Sequence, residues 1–371
     1  MTATTPAARQ GATGHIQRSA TPDDQPSASL DRPQSIAAPL MEIRDLVVSI
    51  GEHQVVAIRE LDIPAGRRVA LIGESGAGKT VAALSLLDLQ PRVARVTGSV
   101  RLEGLELIGM PDRQLNRIRG SEVGVVLQDP ASALNPVMKV GRQIDEALRM
   151  HHRTSRRERR ERVLELMEQV QLPDPERLRR RFPHQLSGGQ RQRVMIAIAI
   201  ACRPRLLIAD EPSSALDVNV QAEILDLLVR LSDEQGMSLL LISHNLGVVR
   251  SMCDDVAVLY GGQLMERGPS RVVVDQPRHR YTQALIKANP DQLADSPVER
   301  TLTHPLWPIP GETPSVGQFP SGCHFRDRCT HALDPCADEL PITRTVETRT
   351  FSCWNPAPAA EPEANVEETA G

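Results

Sequence analysis

Gly73-Glu74-Ser75-Gly76-Ala77-Gly78-Lys79-Thr80 fits the pattern G-x-x-x-x-G-K-[ST] and follows an apolar run from Val69 to Ile72. A strand feeding a glycine turn that opens a helix is the context in which this pattern cradles phosphate. Glycines let backbone N–H groups curl around phosphate oxygens without Cβ clashes, and the positive end of the helix dipole adds to the attraction. Lys79 would reach the β- and γ-phosphates of a nucleotide as a point charge, while the Thr80 hydroxyl would ligate Mg2+. Leu206, Leu207, Ile208 and Ala209 form a second apolar run, ending in Asp210-Glu211-Pro212. At the end of a buried parallel strand, one carboxylate can hold Mg2+ through its water shell while the other orients the water that attacks a γ-phosphate.

Two more apolar runs end in polar groups: Val123 to Leu127 stops at Gln128-Asp129-Pro130, and Leu239 to Ile242 stops at Ser243-His244-Asn245. Strand exits are where active-site groups collect in α/β sheets. A lone histidine is most often a satisfied buried one; the strand-exit position of His244 favours a γ-phosphate contact instead. Leu186-Ser187-Gly188-Gly189-Gln190 opens another helix and makes a second anion-binding terminus on the same physics.

The elements that must position these groups follow from periodicity. Residues 1–38 are rich in Ala, Thr, Ser, Pro and Gln and read as a disordered leader. Ile43, Leu46, Val48 and Ile50, then Val55, Ile58, Leu61 and Ile63, alternate with a period near two and predict short antiparallel strands. Val81, Leu84 and Leu87 predict a helix after the phosphate loop, and Val100–Leu102 and Glu106–Ile108 predict further strands. Residues 131–184 switch to helical spacing and read as a helical insertion. Between His151 and Arg181 it carries ten arginines against six acidic residues. No aromatics interleave with them to stack on bases, so a solvated helix face is the favoured reading over a polyanion site. Val220, Ile224, Leu227, Leu228 and Leu231 predict a helix after Ser214-Ala215-Leu216-Asp217, and Val256–Tyr260 with Gln263–Glu266 a hairpin around Gly261-Gly262.

With 371 residues and 40% hydrophobic content, the chain can hold one large or two ordinary domains. Net charge of −4 gives no global case for nucleic acid. The longest apolar run, Val194 to Cys202, is far short of the roughly 20 residues that cross a bilayer. The N-terminus carries no apolar signal core, so a cytosolic location with reduced thiols is expected. Four of six cysteines, Cys323, Cys329, Cys336 and Cys353, follow the spacing C-x5-C-x6-C-x16-C, which in a reducing compartment suggests metal before disulfide. Zinc sites favour C-x2-4-C pairs, and none is present. Cys202 and Cys253 sit in apolar surroundings and read as packed. From Pro356 the composition turns to Pro, Ala and Glu, an acidic disordered tail.

The phosphate loop, Gln128, the Leu186–Gln190 pentapeptide, Asp210-Glu211, Ser214-Ala215-Leu216-Asp217 and His244 occur in the order and spacing of ABC ATPase subunits, a resemblance covering about residues 41–268. It implies an α/β P-loop NTPase cassette: a RecA-like core with an antiparallel β subdomain and a helical subdomain. It further implies nucleotide sandwiched between two subunits, with the loop Gly73, Glu74, Ser75, Gly76, Ala77, Gly78, Lys79 and Thr80 from one and Ser187, Gly188, Gly189 and Gln190 from the other. Gln128 and Asp210 would serve Mg2+ with Thr80, Glu211 the attacking water, and His244 the γ-phosphate; Asp217 would lie at the dimer seam. Two departures stand out. The family's adenine-stacking aromatic corresponds to Ile50, with only His53 and Val55 nearby, which implies weak selectivity for ATP over GTP; the loss is worth about 1–3 kcal/mol by analogy with other base–aromatic contacts. Asn245 stands where the family has an acidic residue.

Arg278-His279-Arg280-Tyr281 and the later Pro320-Ser321-Gly322-Cys323 resemble the C-terminal extension of ATP-binding subunits from dipeptide, oligopeptide and nickel importers. The resembling branch can carry a [4Fe-4S] cluster at such cysteines; zinc and unliganded thiols are the alternatives. The implied division is a leader (1–38), a nucleotide-binding domain (39–268, helical subdomain about 131–184), a cysteine-containing extension (269–354) and a tail (355–371). The implied work is ATP-driven dimer closure that powers an importer at the cytoplasmic membrane face, through a second ATPase subunit, two permease subunits and, indirectly, an extracytoplasmic binding protein. A groove near Gln128 would receive a permease helix. The competing reading is a soluble ABC ATPase acting on DNA or ribosomes, against which Lys79 and Ser187 stand only 108 positions apart, too close for a long coiled coil. The transport reading expects no nucleic-acid partner.

Overall fold

Alternating apolar residues from Met41 onward form a two-stranded ribbon. The computed structural model describes residues 39–214, 216–289 and 308–359; the expected leader, Ala215 and the tail beyond residue 359 lie outside them. β1 (Pro39–Ile50) and β2 (His53–Pro64) pair antiparallel from Met41↔Ile63 to Ile50↔His53. Met41, Ile43, Leu46 and Val48 on one strand and Val56, Ile58, Leu61 and Ile63 on the other are all buried. One face therefore packs and the other meets water, as the period of two requires.

β3 (Arg68–Ile72) leads through the phosphate loop into α1 (Lys79–Ser85). β4 (Ala94–Leu102) joins the ribbon beside β1, with β5 (Leu105–Glu106) at its edge. The strand expected over Glu106–Ile108 is shorter than its periodicity implied. The Glu106 carboxylate accepts from the N–H groups of Val100 and Ile108 at 2.9 and 3.1 Å, closing a side-chain turn in place of a longer ladder.

α2 (Asp112–Ile118) precedes β6 (Val123–Val126). The helical insertion then consists of α3 (Pro130–Ala133), α4 (Val140–His151), α5 (Arg156–Gln169) and α6 (Pro175–Leu178), followed by α7 (Gly188–Ala199). Ile144 and Leu148 of α4 and Leu166 and Met167 of α5 share a core with Val194 and Ile196 of α7. A Ser155–Glu158 capping box starts α5. The arginine-rich face is laced with ion pairs: Arg159 to Asp145 at 2.8 Å, Arg160 to Glu176 at 3.0 Å and Arg157 to Glu161 at 3.0 Å. That matches a solvated helix face.

β7 (Leu206–Asp210), α8 (Val218–Gln235), β8 (Ser238–Ile242), α9 (Leu246–Met252), β9 (Asp255–Tyr260) and β10 (Gln263–Pro269) complete the core. Its parallel strands run in the order β9-β3-β8-β7-β6. β7 and β8 are buried along their whole length, which explains why they read as unbroken apolar runs. Because β3, β6, β7 and β8 are parallel, their C-terminal ends reach one edge of the sheet together.

Beyond β10 come α10 (Ser270–Asp275), α11 (Arg280–Lys287), α12 (Pro335–Asp338), β11 (Thr343–Val346) and β12 (Arg349–Ser352). β12 pairs with β10 through Glu266↔Phe351 and Arg267↔Thr350, so the C-terminal residues extend the sheet itself.

Candidate active site at the strand ends

The phosphate loop needs its glycines for space as well as for backbone angle. Gly73 has φ +154°, and a Cβ there would stand 2.1 Å from the Leu259 carbonyl oxygen. Gly78, the residue before α1, has φ +93° and lies against Val55 and Val56 of the ribbon. Lys79 is buried, and its Nζ donates to the carbonyls of Gly73 and Glu74, both at 2.9 Å. Burial pushes its pKa down, while the carboxylates of Glu211, Asp210 and Glu74 pull it back.

Asp210 ends β7 buried, with burial raising its carboxyl pKa and a hydrogen bond from Thr80 opposing that rise. Its Oδ1 is buried without a hydrogen-bond partner. A divalent cation beside Thr80 would satisfy that orphaned oxygen, so the donor set fits Mg2+. Glu211 follows with φ +43°, a left-handed conformation that costs a non-glycine residue on the order of 1–3 kcal/mol and is typical of sites held for function. Its N–H donates to the Ile242 carbonyl at 3.0 Å, tying the turn to β8. The Glu211 carboxylate accepts from Gln128 Nε2 at 3.2 Å and lies 3.6 Å from His244 Nδ1. Side chains from the ends of β6, β7 and β8 thus meet at one carboxylate. His244 is largely exposed, which argues against a buried structural histidine.

Residues 48–214 match the ABC transporter family, and residues 265–336 match the C-terminal region of oligopeptide/dipeptide transporters. A Brucella melitensis protein named "Putative peptide import ATP-binding protein BMEII0206" is 45% identical over 329 residues, 87% of this chain and 97% of its own. The chain belongs to the ABC transporter ATP-binding family. A Brucella ovis relative of similar name is 43% identical over 319 residues, 83% of this chain and 94% of its own. Among solved structures, the dimeric ATP-binding cassette MJ0796 in a post-hydrolysis state with ADP and Pi matches at 28% identity and TM-score 0.56, over 62% of this chain and 99% of that one. The cbiO1 cassette of Clostridium perfringens matches at 25% identity and TM-score 0.56, over 64% and 91%. As an ABC cassette the chain is an ATPase, and its family works in pairs with membrane permeases. No helix among the described residues is long and apolar enough to cross a membrane.

Other expected ABC residues stand apart from the cluster. Ser187 caps α7, accepting from Gln190 N–H at 3.3 Å, while Gln190 accepts from Ser187 N–H at 3.2 Å; both bonds stay within the turn. Asp217 caps α8, accepting from Val220 N–H at 3.1 Å. Asn245, where the family has an acidic residue, caps α9 through Val248 N–H at 3.0 Å. Ile50 lies opposite His53 at the ribbon's turn, and a Cβ on Gly317 would stand 2.4 Å from His53 Nδ1.

The cysteines depart from expectation. Among the described residues no group of three or more His, Cys, Asp or Glu side chains is arranged to hold a metal ion, so the [4Fe-4S] or zinc site is not supported. None of Cys323, Cys329, Cys336 and Cys353 is in a disulfide. Burial, with a smaller contribution from the neighbouring cysteines, raises the Cys323 thiol to about 11. Cys253 is packed as expected, its thiol pushed to about 12 by burial.

Sequence reasoning missed three residues that touch the phosphate loop. The Glu74 carboxylate accepts from Arg328, at 2.6 and 3.1 Å, and from the Thr313 hydroxyl at 3.1 Å. The Glu74 N–H donates to the Tyr281 hydroxyl at 2.8 Å. Tyr281 lay in the His-Arg-Tyr stretch that resembles the importer extension, the one signal available; nothing marked Thr313 or Arg328.

Proposed function

We propose that the chain hydrolyses ATP to power an importer of di- or oligopeptides. The nucleotide-binding domain would comprise residues 39–268 with a helical subdomain near 131–184, and residues 269–354 the extension. The meeting of Gln128 and His244 at the Glu211 carboxylate, beside Lys79 and Asp210, carries the ATPase part of this reading. The oligopeptide/dipeptide C-terminal match and the peptide-import names of the relatives support the substrate class.

In this reading the N–H groups of the loop Gly73 to Thr80 wrap the phosphates, and Lys79 leaves its two carbonyls for the β- and γ-phosphate oxygens. Thr80, Asp210 and Gln128 would hold Mg2+, which supplies neutralisation of phosphate charge when bound. Glu211, oriented by Gln128 and His244, accepts the proton of the attacking water, and His244 then faces the γ-phosphate. Ser187, Gly188, Gly189 and Gln190 would complete the site of a second cassette, with Asp217 at the seam. Two permease subunits and an extracytoplasmic binding protein would complete the importer, with this chain on the cytoplasmic membrane face.

The test is reconstitution of the full chain with its membrane permeases in vesicles. ATP hydrolysis should rise when a peptide-loaded binding protein is added. Hydrolysis stimulated by DNA with no membrane partner would overturn the import reading.

A metal group at the four C-terminal cysteines is a separate reading. It draws support from the mutual influence of these thiols and requires them to draw together. Stoichiometric iron and sulfide in anaerobically purified protein would establish it; four titratable thiols with neither iron nor zinc would remove it.

A further inference from the structure

The phosphate loop is pinned from outside the cassette core. Glu74, second residue of the loop, receives three contacts from residues beyond β10: Arg328, Thr313 and Tyr281. Arg328 is buried and forks both oxygens of the Glu74 carboxylate. Such bidentate, charge-assisted pairs fix geometry as well as supply attraction. The guanidinium is itself held: Nε donates to the Pro310 carbonyl at 2.8 Å, and Nη1 to the hydroxyls of Thr313 and Tyr260 at 3.0 and 3.2 Å. Its plane lies near the rings of Tyr260 and Phe325. Tyr260, Tyr281 and Phe325 pack in tilted and edge-to-face pairs beside it, with centroids 4.6 to 5.3 Å apart.

Arg328 is not free to follow a moving loop. It ends a short turn, Arg326–Arg328, set between Cys323 and Cys329, and Cys323 N–H donates to the Cys336 carbonyl at 2.9 Å. On the other side of Glu74, its carbonyl and that of Gly73 hold Lys79 Nζ. A rigid C-terminal turn is thereby connected, through one side chain, to the backbone that places the phosphate-binding lysine. The same extension reaches the turn of the β1–β2 ribbon, where Gly317 packs on His53.

We propose that Arg328 is a positioning residue of the nucleotide site: acting through Glu74, it preorganises the first half of the phosphate loop, so that the C-terminal extension sets nucleotide affinity. This rests on the ATPase reading above. A preorganised loop binds without first having to be ordered, so releasing it weakens binding more than it slows chemistry, which takes place at Glu211.

The test is a double-mutant cycle on the full chain: Arg328→Gln, Glu74→Gln and the two combined, with ATP Kd by calorimetry and KM and kcat by phosphate release. Each single variant should raise Kd and KM about tenfold while kcat falls no more than about twofold. The combined variant should be no worse than either single one, because both remove the same contact. Arg328→Lys, which keeps the charge and loses the fork, should fall between wild type and Arg328→Gln. Multiplying effects in the combined variant would make Arg328 merely structural and overturn the proposal, as would KM within twofold of wild type in Glu74→Gln. If Arg328→Gln does not fold, the near-isosteric Glu74→Gln decides alone. Wild-type protein that binds ATP without hydrolysing it would refute the catalytic reading and leave the Kd cycle to decide this one. Wild-type protein that binds no ATP would overturn both.

Discussion

Glu211→Gln removes one charge and almost no shape. The Glu211 carboxylate stands 3.2 Å from Gln128 Nε2 and 3.6 Å from His244 Nδ1. A glutamine amide can still present its oxygen to Gln128, and the φ of +43° is as accessible to Gln as to Glu. What disappears is the group that takes the proton from the attacking water. A positioned general base contributes typically about 10²–10⁴ in rate. That corresponds to about 3–5 kcal/mol of barrier. Binding should move the other way: the Glu211 charge lies close enough to Lys79 to influence its protonation, and removing it spares incoming phosphates a repulsion. Single-turnover phosphate release should therefore slow by about 10²–10⁴, while Kd by calorimetry stays equal or falls. With ATP trapped unhydrolysed, size-exclusion chromatography should show a dimer that persists. A kcat within tenfold of wild type would refute the assignment of Glu211 as base. Lost ATP affinity would instead put Glu211 in the binding surface.

Two further expectations follow from buried positions. Gly73→Ala would place a Cβ 2.1 Å from the Leu259 carbonyl oxygen, so the phosphate loop and β9 must part; ATP binding should vanish in calorimetry, with stability lowered by more than about 3 kcal/mol in urea unfolding. His279 is fully buried, its Nδ1 accepting from Tyr281 N–H at 3.0 Å, and burial pushes its pKa down to about 4 from 6.5. Between those values the unfolded chain binds a proton the folded chain refuses, so stability present above pH 6.5 is lost as pH falls. The ceiling is about 3 kcal/mol, of which about 2 should be gone at pH 5. Urea unfolding at pH 7 and pH 5 measures it, and His279→Gln should remove that component.

The strand-end cluster was legible because buried parallel strands leave a plain mark: Leu206–Ala209 and Leu239–Ile242 are unbroken apolar runs, and the polar residues that follow them must emerge at the sheet's edge. Alternation in β1 and β2 was equally readable, since one buried face imposes a period of two. The Glu106 side-chain turn was not, because β periodicity continues through residues whose ladder partner a carboxylate has taken. Nor was the Glu74–Arg328 pair, separated by 254 positions. No local pattern marks a contact made when a distant turn folds back, and the cysteines around Arg328 drew attention to metal chemistry and away from the arginine between them.

In the proposed dimer the second anion site, at the start of α7, serves the nucleotide of the other chain. At the start of α7, Ser187 Oγ takes the N–H of Gln190, which leaves the N–H groups of Gly188 and Gly189 at the open end of the helix. Gly189 is required on the opposite side as well: a Cβ there would stand 2.8 Å from Val220 Cγ1 of α8, the helix that Asp217 caps. Packing against α8 therefore holds the α7 terminus in place within its own chain. Its hydrogen bonds at the terminus are all internal, and none joins it to the phosphate loop. A terminus held firm, with open donors and no hydrogen bond to its own phosphate loop, is suited to a phosphate presented by another copy. In the proposed dimer the extension orders the loop of one chain through Glu74, α8 orders the donors of the other, and ATP is the group that both were shaped to share.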